Sequence, residues 1–258
     1  MAMKRDITRS LAIAVAALLA ASAATAQRGR GAGPAVAFDP HDISGYWELS
    51  FDSRHVPPAA LATTVTPAFR AAKRKQDEYA TRWCNWIGMP AAMDATRPID
   101  IRQGRREIVM NFETIATPRH IFLDRATHIG KDVYDATTMG DSIARWEGET
   151  LVVDTVGFDG AKGLSAIPGG GFRTSDSHLV ERYRLVSNGA VLAVTFTWSD
   201  PKVYRTPHTY EYRYYRAPAS YEAQPPIWCD PFDEARTAFL AGSTSRGGGN
   251  QPRSPGAR

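Results

Sequence analysis

Cysteine is scarce, with two residues, Cys84 and Cys229, in a chain of 258. No CxxC pair or Cys/His cluster is present, so a structural zinc site has no ligand set. Beyond the N-terminal segment there is no long apolar run, and a membrane-spanning helix needs about 20 such residues. The chain also lacks G-x-S-x-G, a P-loop, and G-x-G-x-x-G after a strand. Serine-elbow, nucleotide and nicotinamide chemistry therefore have no motif to rest on, and no cofactor is implied. No internal repeat is found.

A large excess of one charge is missing too. The formal charge is +4. Setting aside residues 1–26, with Lys4, Arg5, Arg9 and Asp6, leaves +2. Five further arginines, Arg28, Arg30, Arg246, Arg253 and Arg258, stand near the ends, and the body without them carries −3. No basic stripe interleaved with aromatics appears, so nucleic acid is not an expected partner.

What is there begins with an address. "MAMKRDITRS" is basic, "LAIAVAALLAASAA" is apolar, and Ala24-Thr25-Ala26 is a small-x-small site. Residues 1–26 are expected to be a signal peptide cleaved before Gln27. The expected location is periplasmic or secreted, with no membrane span. Residues 27–37 read as a flexible linker, 38–241 as one β-rich domain, and 242–258 as a disordered Gly/Ser/Arg tail. In an oxidising compartment Cys84 and Cys229 invite a disulfide, with two buried thiols as the alternative.

The domain alternates as strands do. "GYWELSF" (45–51), "REIVMNFET" (106–114), "RHIFLD" (119–124), "SIARWEGETLVVDTV" (142–156), "SHLVERYRLV" (177–186), "AVLAVTFTW" (190–198) and "HTYEYRYYR" (208–216) are the expected strands. Hairpin turns are expected at Glu147-Gly148 and Asn188-Gly189. Pro118 is expected in a turn before "RHIFLD". Helices are few: "TPAFRAAKRKQDEY" (66–79), with Thr66 as N-cap and Pro67 in the first turn, and "PFDEARTAFL" (231–240). The expected class is mainly β, an antiparallel lipocalin-like barrel or sandwich with a few short helices. Residues 159–176 form a long Gly-rich loop of the kind that often binds or covers a ligand.

Asp154 interrupts the apolar strand 150–156, sharing a face with Val152 and Val156. Glu181 shares a face with Leu179, Tyr183 and Leu185. A carboxylate among apolar neighbours needs a partner or a shifted pKa. One reading is general acid–base chemistry in a sheltered hollow, with Asp154 and Glu181 as base and acid and His120 or His128 moving a proton. Arg119, Asp124, Asp141, Trp146 and Tyr183 are the expected substrate contacts. The other reading pairs the carboxylates with arginines to fix strand register. His120, Asp124 and His128 have an H-x3-D-x3-H spacing, but strand and loop do not bring such ligands onto one face, so no metal is expected. Tyr210, Tyr212 and Tyr214 line one strand face, as core or as the wall of a pocket.

"CNWIGMP", "RHIFLD", "GDSIARWEGETLVVDTVGF", "TSDSHLVERYR" and "SDPKVY" together resemble a large family of exported bacterial β-rich proteins, over about Trp83 to Cys229. That pattern has Asp-Gly-Arg where this chain has Asp124-Arg125-Ala126, and Gly-His-Ser where it has Gly140-Asp141-Ser142. His128, Trp146, Glu147, Asp154, Glu181 and Arg182 match. The resemblance implies export and the β-rich fold, and its late Cys implies the pairing of Cys84 with Cys229. It implies no particular activity. The expected function is a small-molecule acid–base enzyme (lyase, isomerase or hydrolase), with a non-catalytic periplasmic carrier and an envelope interaction protein as alternatives.

Overall fold

The computed structural model describes residues 38–82, 87–94, 97–130, 132–133, 135–161, 163–218 and 220–225. Cys84, Cys229, the signal segment, the linker, the 231–240 helix and the tail lie outside the described residues.

Nine strands close into a barrel. They are β1 (Gly45–Leu49), β2 (Ile99–Gln103), β3 (Glu107–Phe112), β4 (Ile115–Phe122), β5 (Asp141–Glu147), β6 (Thr150–Val156), β9 (His178–Val186), β10 (Val191–Ser199) and β11 (His208–Arg216). The order around the barrel is β1-β11-β10-β9-β6-β5-β4-β3-β2, with β2 back against β1. A separate two-stranded hairpin, β7 (Ala166–Ile167) and β8 (Gly171–Phe172), lies in the Gly-rich loop. The barrel, not the sandwich, is the architecture.

Every neighbouring pair in the barrel is antiparallel except one. Strands β4 and β5 run parallel and share only Ile121↔Ser142 and Phe122↔Ile143. Parallel neighbours cannot be joined by a tight turn, so the chain returns through the long connection 123–140. The expectation of an all-antiparallel barrel is corrected at this seam, which builds the candidate site.

The inward faces follow the period of two. Strand β10 contributes Leu192, Val194, Phe196 and Trp198, and β11 contributes Tyr210, Tyr212 and Tyr214, all buried. Trp47, Ile101, Met110, Ile121, Val153 and Leu179 complete the ring from other strands. The tyrosine ladder is core: Tyr210 stacks on Phe196 with centroids 5.0 Å apart, and Tyr214 donates to the Met93 carbonyl. Large side chains fill the lumen.

Local chemistry sets the connections. Gly148, with φ +57°, opens the two-residue turn 148–149, one residue later than the sequence suggested. Ser187, Asn188 and Gly189 all take positive φ in the β9–β10 turn, a conformation Asn and Gly tolerate best. Pro118 is inside β4, not in a turn. It falls where the β3–β4 register shifts and before β4 gains its second neighbour, so its missing N–H removes no ladder bond to β5. Helix α1 (Pro67–Arg82) starts as expected, with Thr66 Oγ1 accepting from the Phe69 N–H at 3.2 Å. Short β2 was not anticipated; its Ile99 and Ile101 are buried, but five residues carry little pattern.

Candidate functional site

The two carboxylates singled out in the sequence do not meet. Val153 is the cross-strand partner of Glu181, and Asp154 that of Val180. Neighbours in register share a face, so Glu181 faces the lumen with Val153 while Asp154 faces outward. The expected shared hollow is replaced by two polar clusters on opposite sides of one wall.

The inner cluster is a sealed ion pair. Arg119 and Glu181 are each fully buried. Arg119 Nη1 donates to Glu181 Oε1 at 2.9 Å, and Nη2 donates to Oε2. Tyr183 donates its hydroxyl to Oε1 at 2.6 Å, and Arg119 Nη2 also donates to Thr155 Oγ1 at 3.0 Å. Ser142 and Thr155 hydroxyls close the network at 3.0 Å. Burial opposes the guanidinium charge, but Glu181 and Tyr183 more than offset it and raise the Arg119 pKa. Burial raises the Tyr183 pKa well above its ordinary value. The anion that Arg119 steadies is the protein's own. Glu181, expected in catalysis, and Arg119 and Tyr183, expected in substrate contact, are engaged with one another in this buried cluster.

The outer cluster is assembled by the seam. Strand β5 begins with Asp141 facing out, β6 presents Asp154, and β9 begins with His178. The return connection lays Arg125 and His128 against them. Arg125 Nη2 donates to Asp141 Oδ1 at 2.6 Å. Asp141 Oδ2 accepts from the Ile129 N–H at 3.0 Å and lies 3.0 Å from His128 Nδ1. His128 Nε2 is 2.7 Å from Asp154 Oδ1, and His178 Nε2 is 3.0 Å from Asp154 Oδ2. The result is a continuous row: Arg125, Asp141, His128, Asp154, His178.

Exposure is least at Asp141 and rises toward His178, while Arg125 on the other side of Asp141 is 21% exposed. The Asp141 side chain is 2% exposed, His128 22%, Asp154 32% and His178 40%. Burial works against the Asp141 charge, yet the Ile129 amide, Arg125 and His128 hold its carboxyl below the usual range. The hydrogen bond from His178 does most to lower Asp154, with His128 adding to it against partial burial. Asp154 in turn raises the His178 pKa, chiefly through that hydrogen bond.

The two imidazoles differ in what they leave free. Both ring nitrogens of His128 face carboxylates, so it is a strut. His178 commits only Nε2; its Nδ1 has no partner among the described residues. A carboxylate that fixes one ring nitrogen and leaves the other exposed is the arrangement that makes an imidazole a directed base or acid.

The remaining candidates are dispersed. His120 is exposed on β4, 3.4 Å from Glu107 Oε2. Asp124 accepts from Arg106 Nε at 2.5 Å. Trp146 packs edge-on to His41, with centroids 4.9 Å apart. The H-x3-D-x3-H residues thus have three separate sets of partners. Among the described residues no group of three or more His, Cys, Asp or Glu is arranged to hold a metal ion. Of the expected residues, the structure brings together Asp141, His128 and Asp154. It adds Arg125 and His178, which sequence reasoning missed. His178 shares a face of β9 with Val180, Arg182 and Arg184, and the β6–β9 register, which pairs Asp154 with Val180, places it diagonal to Asp154.

No protein-family model matches the chain, and no curated protein matches it.

Proposed function

We propose that this is an exported small-molecule enzyme that performs cofactor-independent acid–base chemistry on the outer wall of its barrel, with His178 as the catalytic residue. One observation carries the reading: His178 is held by Asp154 through Nε2, its side chain is 40% exposed, and its Nδ1 has no partner among the described residues. In the forward step Nδ1 takes a proton from water or from a substrate carbon or hydroxyl. The imidazolium that forms lies against ionised Asp154. The reverse transfer delivers that proton to the leaving or product atom. Asp154 is a positioning residue; His128, Asp141 and Arg125 keep it ionised and fixed. Lyase, isomerase and hydrolase chemistry all use such a step.

The carrier reading, with a lipocalin-like interior site, has less to support it. The lumen holds Trp47, Trp198, Phe196 and the tyrosines together with the Arg119–Glu181 pair. The test is turnover of a panel of esters, lactones and enolisable ketones by the wild type, His178→Asn and Asp154→Asn. Loss in His178→Asn of about 10²–10⁴-fold is expected, the usual worth of a general base. Full activity in His178→Asn would overturn the assignment. Export is tested separately: the processed protein is expected to begin at Gln27.

A further inference from the structure

The Gly-rich segment singled out in the sequence folds over one end of the barrel. Its hairpin, β7–β8, belongs to no barrel sheet. The base is fixed to α1: the Ser165 N–H and hydroxyl donate to Asp77 Oδ1 at 2.7 and 2.9 Å, and Phe172 meets Phe69 edge-on with centroids 5.6 Å apart. The tip, residues 168–171, rests on His208 and Tyr204. His208 Nε2 donates to the Pro168 carbonyl at 3.2 Å, and the Ala59 N–H donates to the Gly169 carbonyl at 2.9 Å. The approach is close enough to need glycine: a Cβ on Gly169 would lie 2.6 Å from His208 Nε2, and one on Gly171 would overlap the Tyr204 hydroxyl.

His208 opens β11 and shares the inward face of Tyr210, Tyr212 and Tyr214. It is 6% exposed, with the Tyr204 ring stacked at 6.1 Å and the Tyr210 ring at 5.3 Å. Its cross-strand partner is Trp198. Tyr210 Oη and Trp198 Nε1 are shielded from solvent and have no hydrogen-bond partner among the described residues. The tip thus sits over the aromatic end of the lumen.

Nothing around His208 compensates a charge on it. Residues 57–61 and 166–172 contain no ionisable side chain and meet it with main-chain oxygens. The 200–205 segment brings Tyr204, Asp200 and Arg205, but Asp200 accepts from the Thr174 and Ser177 hydroxyls and Arg205 donates to the Leu61 carbonyl. Burial raises the pKa of Tyr204 on that segment and of Tyr210 on β11, so both stay neutral. A second proton on the imidazole would sit on Nδ1, which has no acceptor among the described residues. Burying a cation with no counter-charge is unfavourable. Burial accordingly pushes His208 below its ordinary 6.5, outweighing the Pro168 carbonyl, which acts the other way.

We propose that the β7–β8 hairpin is a lid on the aromatic end of the lumen, latched on neutral His208 and released when His208 is protonated. With the tip lifted, the imidazole is solvated and takes its proton near the ordinary value. The latch is therefore complete above 6.5 and weakens as pH falls from there to the lowered pKa, below which it weakens no further. The lid is independent of the reading of His178 above.

Amide hydrogen exchange on the full chain tests it, with protection corrected for the intrinsic rate at each pH. The Ala59 N–H reports the tip; the Ala62 N–H, which donates to the Val203 carbonyl at 2.8 Å, is the reference on the same segment. From about pH 7.5 to about pH 5, Ala59 protection is expected to fall several-fold relative to Ala62. His208→Gln, neutral throughout, is expected to abolish that fall. Gly169→Ala forces the tip away at every pH. It is expected to lower Ala59 protection even at the alkaline end, and to return the His208 titration, followed by NMR of its ring protons, toward 6.5. A constant Ala59-to-Ala62 ratio in the wild type, an undiminished fall in His208→Gln, or a His208 titration still depressed in Gly169→Ala would each overturn the proposal.

Discussion

Asp154 gives one oxygen to each of two imidazoles, and the consequences are visible in titration. If His178 acts as the base, activity rises with pH as Nδ1 loses its proton. Because Asp154 raises the His178 pKa, the midpoint of that limb is expected above the ordinary 6.5. Asp154→Asn removes the hydrogen-bonded anion, so the midpoint is expected to move down in a pH–rate profile. A midpoint unmoved by Asp154→Asn would contradict the coupling. The inner pair predicts something different. Removing one partner of a buried ion pair typically costs about 3–5 kcal/mol, so Glu181→Gln is expected to lower stability by that amount in urea unfolding. Replacing Arg119 and Glu181 together by Met and Leu is expected to recover most of it. The sequence marked both carboxylates as out of place among apolar neighbours, and both do have partners. It could not say that they lie on opposite faces. Asp154 has Val152 and Val156 beside it, and Leu151, Val153 and Thr155 on its strand's other face, so either face looked internal. The register with Glu181 decides, and a 21-residue connection separates the two strands.

At the scale of elements, the parallel seam matters most. Strand identities were legible because β3, β9, β10 and β11 alternate cleanly and the β5–β6 and β9–β10 turns carry Gly148 and Asn188-Gly189. The seam was not, since nothing in "RHIFLD" or "SIARWE" records the direction of a neighbour. The connection 123–140 ends at Gly140, whose φ is +74°. A Cβ there would sit 2.7 Å from Thr155 Cγ2 and 2.8 Å from the Val156 carbonyl oxygen. Gly140→Ala is therefore expected to cost about 1–3 kcal/mol from conformation alone, and more from the clash. Gly148→Ala, with φ +57° but no atom within 4 Å, is expected to cost only about 1–2 kcal/mol. Thermal unfolding of the two variants measures the difference. Because Gly140 precedes Asp141, its variant is also expected to disturb the outer row, whereas Gly148→Ala leaves it intact. His128→Ala frees the return connection from β6, and faster amide exchange at Arg125–Ile129 is expected, with little change elsewhere.

For the whole molecule, the outer row links stability to pH in two limbs. Asp141 and Asp154 have folded pKa values below their ordinary 3.8. Their contribution is complete above that value and is lost as pH falls through the lowered ones. His178 has a folded pKa above 6.5, so its contribution is complete below 6.5 and is lost as pH rises through the raised value. The urea midpoint is expected to peak between these limbs, and His178→Asn is expected to flatten the alkaline one. A His178→Asn profile identical to wild type would show that the pair does not couple to folding. The barrel carries polar groups in two layers: the Arg119–Glu181 pair is buried inside, and the five-residue row outside is most open to solvent at His178.

Turnover of His178→Asn and Glu181→Gln, compared at equal folded fraction on the same substrate, tests the division between those layers most directly. The outer-wall account predicts that His178→Asn loses about 10²-fold or more while folded Glu181→Gln keeps activity near wild type. Retained activity in His178→Asn with loss in Glu181→Gln would place the chemistry in the lumen and contradict it.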